Sequence, residues 1–132
     1  MSFSLKNSKE ELLFLPLGGS NEIGMNFNLY QYKGKWIIVD CGGGFPDDYL
    51  PGADLIVADY TFVVEHQKDI LGIILTHAHE DHVGGLGFLL QEISCPVFTT
   101  TFTANFIKSK LAEYSFTKKP QIIEIKTQSK IN

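Results

Sequence analysis

Three of the chain's four histidines lie within six residues, at His77, His79 and His82, and Asp81 lies among them. His77 and His79 are two residues apart, so on an extended turn their imidazoles can point to the same side and share one metal ion. Asp81 and His82 follow the bend and can face a second, neighbouring ion. Two such ions can stabilise a hydrolytic transition state from both sides. Imidazole nitrogen and carboxylate oxygen suit zinc first and manganese second, so the motif predicts a two-metal hydrolase site.

The alternative interpretation of this motif is a histidine-rich surface turn that binds no particular ligand. The motif's position argues against it, because an apolar strand pattern ends there and a helical pattern begins, which is where open α/β sheets place their sites. Gly84 and Gly85 also remove side chains where the backbone must pass close to such a site. His66 is isolated on a predicted helix, and a lone histidine is more often a surface or packed residue than a ligand, so we assign it no metal.

The spacing of apolar residues predicts the elements that position the motif. Residues 27–32 and 35–40 flank Lys33-Gly34, which predicts a tight hairpin. The apolar run 70–75 predicts a strand directly before the motif, and a helix over 83–92 is expected after it. Further expectations are strands over 12–17, 55–58, 97–99 and 122–125, a helix over 61–69, and a helix whose apolar stripe is formed by Phe102, Phe106, Ile107, Leu111 and Tyr114. This order predicts an α/β (α+β) fold with one mixed sheet and flanking helices.

Composition and charge indicate a single soluble domain. The chain has 132 residues, of which 44% are hydrophobic, enough for one packed core. Its net charge of −4 does not provide the basic surface expected of sequence-independent nucleic-acid binding, so other residues must hold any RNA partner. Cys41 and Cys95 are too few for a disulfide framework and favour structural thiols in a reducing compartment. No secretory signal or membrane-spanning run is present, so we expect a cytoplasmic protein with no membrane partner.

Four blocks of sequence carry a resemblance to a known family. They are Leu-Gly-Gly-Ser-Asn-Glu-Ile-Gly-Met-Asn at 17–26, Val-Asp-Cys-Gly at 39–42, Phe-Pro at 45–46 with Pro-Gly-Ala-Asp at 51–54, and Ile-Ile-Leu-Thr-His-Ala-His-Glu-Asp-His-Val-Gly-Gly-Leu at 73–86. Together they resemble the amino-terminal portion of the ribonuclease J family, in the beta-CASP branch of the metallo-beta-lactamase superfamily. Glu80 and the Glu22-Ile23-Gly24 block favour this branch over glyoxalase-II-like or lactamase-like relatives.

The resemblance implies a role for each residue of the motif. His77 and His79 would bind one zinc ion, and Asp81 and His82 would bind the other and act as catalytic residues. A hydroxide activated by the two metals would then attack an RNA phosphodiester. Asp40 resembles the superfamily's carboxylate beneath the loop, which fixes a histidine tautomer by hydrogen bonding. A helix or turn cap is the alternative role for Asp40.

Two further positions receive no defined role. Asn26 and the Gly18-Gly19 turn belong to a loop that should approach the metal face.

The resemblance also implies parts that this sequence does not contain. The superfamily's third histidine, bridging aspartate and last histidine come from a second half of the domain, and no histidine follows His82. The beta-CASP and carboxy-terminal domains are not represented either. We therefore expect a polar leader at 1–11 and, over 12–132, the first half of an αββα sandwich with an exposed apolar sheet face. Such a chain could be a cloned fragment, the product of a split gene, or a piece that pairs with a second chain.

Three functional hypotheses remain open. The first is a segment of a ribonuclease J-like zinc-dependent ribonuclease that is inactive alone and whose full-length form could be a homo-oligomer. The second is a hydrolase of the same superfamily that acts on a thioester or a lactam. The third is a non-catalytic relic or interaction fragment.

Overall fold

The computed structural model describes residues 10–46 and 52–131. The leader at 1–11 therefore lies largely outside the described residues. Within them the strands are β1 (Leu13–Gly18), β2 (Phe27–Tyr32), β3 (Lys35–Val39), β4 (Gly43–Gly44), β5 (Ile56–Val57), β6 (Ile70–Ile74), β7 (Val97–Thr99) and β8 (Ile122–Glu124). The helices are α1 (Thr61–Glu65), α2 (Glu80–Val83), α3 (Leu86–Glu92) and α4 (Thr101–Leu111), with a 3₁₀ turn at Gln67–Asp69.

Six of these strands form one mixed sheet, as the sequence predicts. Its order is β1-β2-β3-β6-β7-β8, and β4 pairs with β5 in a separate two-stranded sheet. The first three strands pair antiparallel, whereas β3, β6, β7 and β8 run parallel. Lys33 and Gly34 both have positive φ, at 50° and 79°, which is the backbone of a type I′ turn and confirms the predicted hairpin.

The core lies on one face of the sheet. Leu29, Ile38, Ile73 and Val97 are in register across four strands, and each is fully buried. They belong to the same apolar cluster as Val63 of α1, Leu86 and Leu89 of α3, and Ile107 of α4. The helices therefore cover this face, because each crossover between parallel strands returns on the same side.

The opposite face is apolar but only partly buried. Phe14, Tyr30 and Ile37 are in register on it, and the rings of Phe14 and Tyr30 lie 5.1 Å apart. Phe14 is 54% exposed, whereas Ile38, next to Ile37 but on the helix-covered face, is completely buried. An exposed apolar sheet face is thus present, as expected. No helix in the described part of the chain is long and apolar enough to cross a membrane.

Three helices differ from the sequence-based expectation. The helix predicted over 61–69 is observed as α1 (Thr61–Glu65) followed by a 3₁₀ turn at Gln67–Asp69. The helix predicted over 83–92 is observed as α3 over Leu86–Glu92, and a separate short helix, α2, covers Glu80–Val83 before it. The stripe predicted on α4 is wrong at its first two members, since Phe102 and Phe106 are 77% and 42% exposed. The buried residues of α4 are Thr103, Ala104, Ile107 and Leu111. Thr103 and Ala104 thus take the buried positions that the pattern assigned to Phe102 and Phe106.

Candidate metal centre

The histidine motif lies at the carboxyl edge of the sheet, where two parallel strands end side by side. β3 ends directly before Asp40, and β6 leads into the loop at 75–79. The backbone N–H of Asp40 donates to the carbonyl of Ile74 at 2.9 Å, so the parallel pairing continues up to the site. Carboxyl ends of neighbouring parallel strands are the usual position of a ligand site in an open sheet. The structure thus brings Asp40 beneath the motif.

Asp40 is a buried carboxylate that organises the loop above it. Its Oδ2 lies 2.7 Å from Nδ1 of His82, and its Oδ1 accepts the backbone N–H of Thr76 at 2.8 Å. The Thr76 hydroxyl lies 2.9 and 3.0 Å from the two carboxylate oxygens. Because a carboxylate only accepts, Nδ1 of His82 must carry the proton. In the neutral ring the lone pair of His82 is therefore on Nε2, the nitrogen that does not contact Asp40.

A second histidine is oriented through Thr76. Its Oγ1 lies 3.0 Å from Nδ1 of His77 and, because its own proton is directed to Asp40, it accepts from His77. His77 thus also has Nε2 free for a ligand. Sequence reasoning did not identify this role of Thr76. The sequence feature that could have indicated this role is the position of Thr76, a hydroxyl residue between a buried strand and the first histidine.

The three imidazoles of the motif converge. The ring centroids of His77 and His82 are 4.0 Å apart, and those of His77 and His79 are 4.6 Å apart. Asp81 Oδ2 lies 3.5 Å from Nε2 of His82, and the Asp81 side chain is 41% exposed. Over residues 10–46 and 52–131, however, no three His, Cys, Asp or Glu side chains are arranged as a group that could hold a metal ion. The motif instead provides its donors as two pairs, His77 with His79 and Asp81 with His82.

Asn26 contacts both members of the second donor pair. Its Nδ2 lies 3.2 Å from Asp81 Oδ2 and 3.2 Å from His82 Nε2. Its backbone N–H donates to the Asp81 carbonyl at 2.8 Å, and its own carbonyl accepts from the N–H of Gly42 at 2.9 Å. The expected approach of this loop to the metal face is thus present in the structure.

Close backbone packing fixes the motif against the segment after β3. The Cys41 N–H donates to the His82 carbonyl, and the Gly85 N–H donates to the Cys41 carbonyl, both at 2.9 Å. A Cβ at Gly42 would overlap the backbone oxygen of Asp81, and a Cβ at Gly85 would lie 2.8 Å from the Gly42 oxygen. Side chains at these glycines would separate the two segments.

Glu80 connects the motif to the outer helix. Both of its carboxylate oxygens accept from Nζ of Lys110, at 2.6 and 2.7 Å, and the pair is about three-quarters buried. Because Lys110 lies near the end of α4, this ion pair joins the start of α2 to the helix layer.

The ring of His66 and the thiols of Cys41 and Cys95 are packed side chains. His66 stacks on Phe62 at 4.1 Å and its Nδ1 contacts the Phe62 carbonyl at 2.8 Å, which is the packed role expected of it. Both cysteines are free thiols, and Cys41 is buried in the core. Burial raises the pKa of the Cys95 thiol to about 11 and also raises the pKa of Cys41.

Residues 24–127 match the family model of the metallo-beta-lactamase superfamily. The chain belongs to this superfamily. It is 49% identical over 107 residues to a ribonuclease J of Sinorhizobium meliloti, which covers 78% of this chain and 19% of that protein. It is 40% identical over 111 residues to a ribonuclease J of Mycobacterium tuberculosis, covering 83% and 20%. The chain thus spans about a fifth of the length of the curated relatives it matches.

Solved structures agree on the metallo-beta-lactamase fold. Human tRNase Z, short form, is similar with a TM-score of 0.51 and 19% identity over 86% of this chain and 44% of that one. A diphosphatase from the PhnP family is similar with a TM-score of 0.52 and 17% identity, covering 77% and 38%. At these identities the likeness shows the fold alone.

Membership of the superfamily implies use of a divalent metal. The donor types in the motif suit such an ion, although the described side chains form no group of three that could hold it. In their neutral forms, His82 carries its proton on Nδ1 toward Asp40 and His77 carries its proton on Nδ1 toward Thr76. Nε2 of each ring is then unprotonated, and that of His82 lies 3.2 Å from Asn26 Nδ2. Neutral imidazole nitrogens beside a carboxylate suit a borderline divalent ion.

Proposed function

We propose that this chain carries the metal-binding loop of a ribonuclease J-like hydrolase that cleaves RNA phosphodiester bonds with two zinc ions. The observation that carries the proposal is the 49% identity over 107 residues to the Sinorhizobium meliloti ribonuclease J. The gathering of three imidazoles and Asp81 at one sheet edge supports it. Manganese could replace zinc, because it accepts the same nitrogen and oxygen donors.

Each pair of donors in the motif would hold one ion. His77 and His79 would hold the first, and Asp81 and His82 the second. When bound, the ions would lower the pKa of water and neutralise negative charge on the phosphate oxygens. Asp81 and His82 are catalytic residues in this proposal, because their donor atoms would contact the second ion directly.

The chain's other residues prepare these ligands. Asp40 keeps His82 in the tautomer with Nε2 unprotonated, and Thr76 transmits the same control to His77. The ion pair between Glu80 and Lys110 fixes the start of α2, which carries the second pair of ligands. These hydrogen bonds and the ion pair would hold the loop in a fixed geometry, which lowers the cost of ordering it around an ion.

We expect the 132-residue chain to bind zinc weakly and to leave RNA intact when it is tested alone. A two-zinc site needs three or four protein ligands for each ion, and the motif supplies two for each. Cleavage of RNA by this chain alone, abolished by His77→Ala, would contradict this expectation.

The proposal that RNA is the substrate can be tested in a chimeric protein. The matching segment of the Sinorhizobium meliloti ribonuclease J is replaced by this chain's segment, and end-labelled RNA, a thioester and a lactam are offered as substrates. The proposal expects RNA cleavage that His77→Ala lowers by at least about 100-fold. His66→Ala is the matched control, because His66 lies outside the site, and it should leave cleavage unchanged. A folded, zinc-loaded chimera that hydrolyses the thioester or the lactam and not RNA would refute the proposed substrate.

A further inference from the structure

We infer that the cavity between the last turn of α4 and β8 binds single-stranded RNA, with one base inside the cavity and the neighbouring phosphates at Lys108 and Lys119. The inference rests on the proposed function, because it takes RNA as the substrate. It adds a binding site outside the metal loop.

Charge is divided unevenly along the chain. Residues 93–132 hold six lysines and two glutamates, a formal charge of +4, whereas residues 1–92 hold five lysines and thirteen acidic residues, a formal charge of −8. Five of the six lysines after residue 92 are exposed. The net charge of −4 therefore conceals a basic segment, and a basic surface is the feature that attracts the phosphates of a nucleic acid.

A cavity lies within this basic segment. Its volume is about 550 Å³, which is in the usual range for ligand sites. Lys108 and Lys119 line it together with five apolar residues, which are Leu111, Ala112, Phe116, Pro120 and Ile122. The lining thus combines apolar surface with two cationic side chains. A nucleotide has the matching parts, because its base has an apolar face and its phosphate is an anion.

Phe116 gives the cavity an aromatic wall. Its ring lies 6.2 Å from the ring of Tyr114 and nearly parallel to it, at 25°, and Tyr114 lies edge-on to Phe88 at 5.5 Å. Phe116 also packs against the core. Any base can stack on such a ring, because every base has a π-face. Among the described residues that line the cavity, none carries a carboxylate, amide or hydroxyl group that could read a base edge, so we expect no sequence preference.

The two lysines differ in how available they are to a phosphate. Nζ of Lys108 lies 2.8 Å from Glu124 Oε1, and these side chains are 48% and 39% exposed. Lys119 is exposed and forms no ion pair with any other described residue. Loss of the Lys119 charge should therefore weaken RNA binding. Loss of the Glu124 charge should strengthen it, because Lys108 is then released and a repelling carboxylate is removed.

The cavity lies at the opposite end of α4 from the metal loop. α4 begins at Thr101, directly after β7 ends at the carboxyl edge of the sheet, and its 11 residues extend about 16 Å. A strand bound at the far end of α4 would therefore be held by a part that is not cleaved. An acidic peptide could contact the same lysines, but the aromatic wall favours a base.

The test measures fluorescence anisotropy of a labelled oligouridylate of about 12 nucleotides, a length within the usual range for single-stranded sites. The 132-residue chain and its variants are titrated into it at several salt concentrations. EDTA is present, so that no metal ion in the loop contributes. A labelled peptide of leucine and glutamate is tested in parallel. Lys33→Gln is the matched control, because it removes one charge in the hairpin before β3, three strands away from β8. Circular dichroism verifies that each variant keeps the fold.

The expected result has three parts. Lys119→Gln weakens RNA binding by about 3-fold or more and lowers the slope of log affinity against log salt by about 0.7, the value for one phosphate of a single strand. Glu124→Gln strengthens binding, and Lys33→Gln leaves the slope unchanged. Ala112→Phe, which fills the cavity from an exposed position, and Phe116→Leu, which keeps an apolar side chain without the ring, each weaken binding by about 10-fold.

Three results would overturn the inference. Equal affinity in the parent and in Ala112→Phe would show that the base does not enter the cavity. Equal salt slopes in the parent and in Lys119→Gln would show that this lysine does not contact a phosphate. Binding of the peptide without binding of the RNA would assign the cavity to an acidic protein partner.

The inference and the proposed function fail in different ways. A chimera that cleaves RNA, together with a parent chain that does not bind the oligouridylate, would refute the cavity site alone. A chimera that leaves RNA intact, together with the expected effects at Ala112, Lys119 and Glu124, would refute the proposed cleavage alone.

Discussion

Asp40 Oδ2 lies 2.7 Å from Nδ1 of His82, across 42 residues of sequence, in a pocket where the Asp40 side chain is 6% exposed. The same carboxylate accepts from the backbone and the hydroxyl of Thr76. One buried group thus orients a histidine from beneath and fixes the end of the strand that leads to it. The role that the resemblance implies for Asp40, and the alternative of a helix or turn cap, remain predictions. No helix begins at Asp40 in the described chain.

Asp40→Asn is expected to weaken zinc binding by about 10- to 100-fold, the usual effect of losing a group that supports a ligand. The amide can accept with one atom only, so its NH₂ group must face either Thr76 or His82 Nδ1, which leaves a donor unsatisfied. Zinc titration by calorimetry measures the change, and ¹⁵N NMR of the imidazole should show a loss of the Nδ1–H tautomer. Asp54→Asn, at an exposed position, is the control. An unchanged tautomer in Asp40→Asn would contradict the role assigned to Asp40.

Gly42→Ala is expected to disrupt the motif although it adds only one methyl group. The new Cβ would overlap the carbonyl oxygen of Asp81, so the segment after β3 and the start of α2 must move apart. Overpacking of this kind costs about 1–3 kcal/mol. Urea unfolding measures the loss, and hydrogen exchange at the Asn26 and Cys41 amides locates it. Gly34→Asn is the control, because no atom lies within 4 Å of its Cβ position and asparagine tolerates the turn's positive φ. Equal stability of Gly42→Ala and the parent would refute the close contact.

Local patterns allowed much of the fold to be predicted from the sequence. The hairpin at Lys33-Gly34 and the strand before His77 follow from turn chemistry and short apolar runs, and both are present. The stripe on α4 could not be predicted, because Phe102 and Phe106 fit the helical period as well as Thr103 and Ala104 do. Which of these side chains faces the core depends on how the helix packs in the folded chain, and the periodic pattern does not specify that.

The candidate site also has one part that could be predicted from the sequence and one part that could not. The motif's residues could be proposed as metal ligands from the sequence, because they are adjacent in the chain and their side chains are typical metal donors. The contact of Asn26 with Asp81 joins residues 55 apart, and the chain of hydrogen bonds from His77 through Thr76 to Asp40 joins two strands. Such contacts depend on strand order, which the local sequence does not encode. For the same reason, the sequence alone did not predict a role for Thr76.

Ile37→Ala and Ile38→Ala are expected to differ although the residues are adjacent and identical in type. Ile38 is completely buried among the helices, so its truncation should cost about 2–5 kcal/mol of unfolding free energy. Ile37 lies on the partly exposed face, and its truncation should cost about 1 kcal/mol, mainly lost strand propensity. Urea unfolding of the two variants gives the comparison. If both variants lost the same free energy, the second face would have to be as well covered as the first.

Lys110→Met is expected to lower the free energy of unfolding by about 0.5–1 kcal/mol, because the partly buried pair with Glu80 is lost. Lys108→Met is the matched control on the same helix. Its partner is Glu124, and with side chains that are 48% and 39% exposed that pair should contribute less. Unfolding in urea at low and at high salt measures both variants, and added salt should shrink the difference between Lys110→Met and the parent. A larger effect at Lys108 would contradict this ranking.

The two thiols are expected to make the chain less stable at high pH. Burial raises the pKa of Cys95 from its ordinary value of 9.0 to about 11, and burial also raises that of Cys41. Between pH 9 and 11 the unfolded chain therefore binds fewer thiol protons than the folded chain, so the free energy of unfolding falls as the pH rises. Below pH 9 both states keep the Cys95 proton and this contribution is constant. Urea unfolding at several pH values, compared between the parent and Cys95→Ala, isolates the effect from the titration of lysine and tyrosine. The decline above pH 9 should be shallower in Cys95→Ala, and parallel declines would show that Cys95 ionises equally in both states.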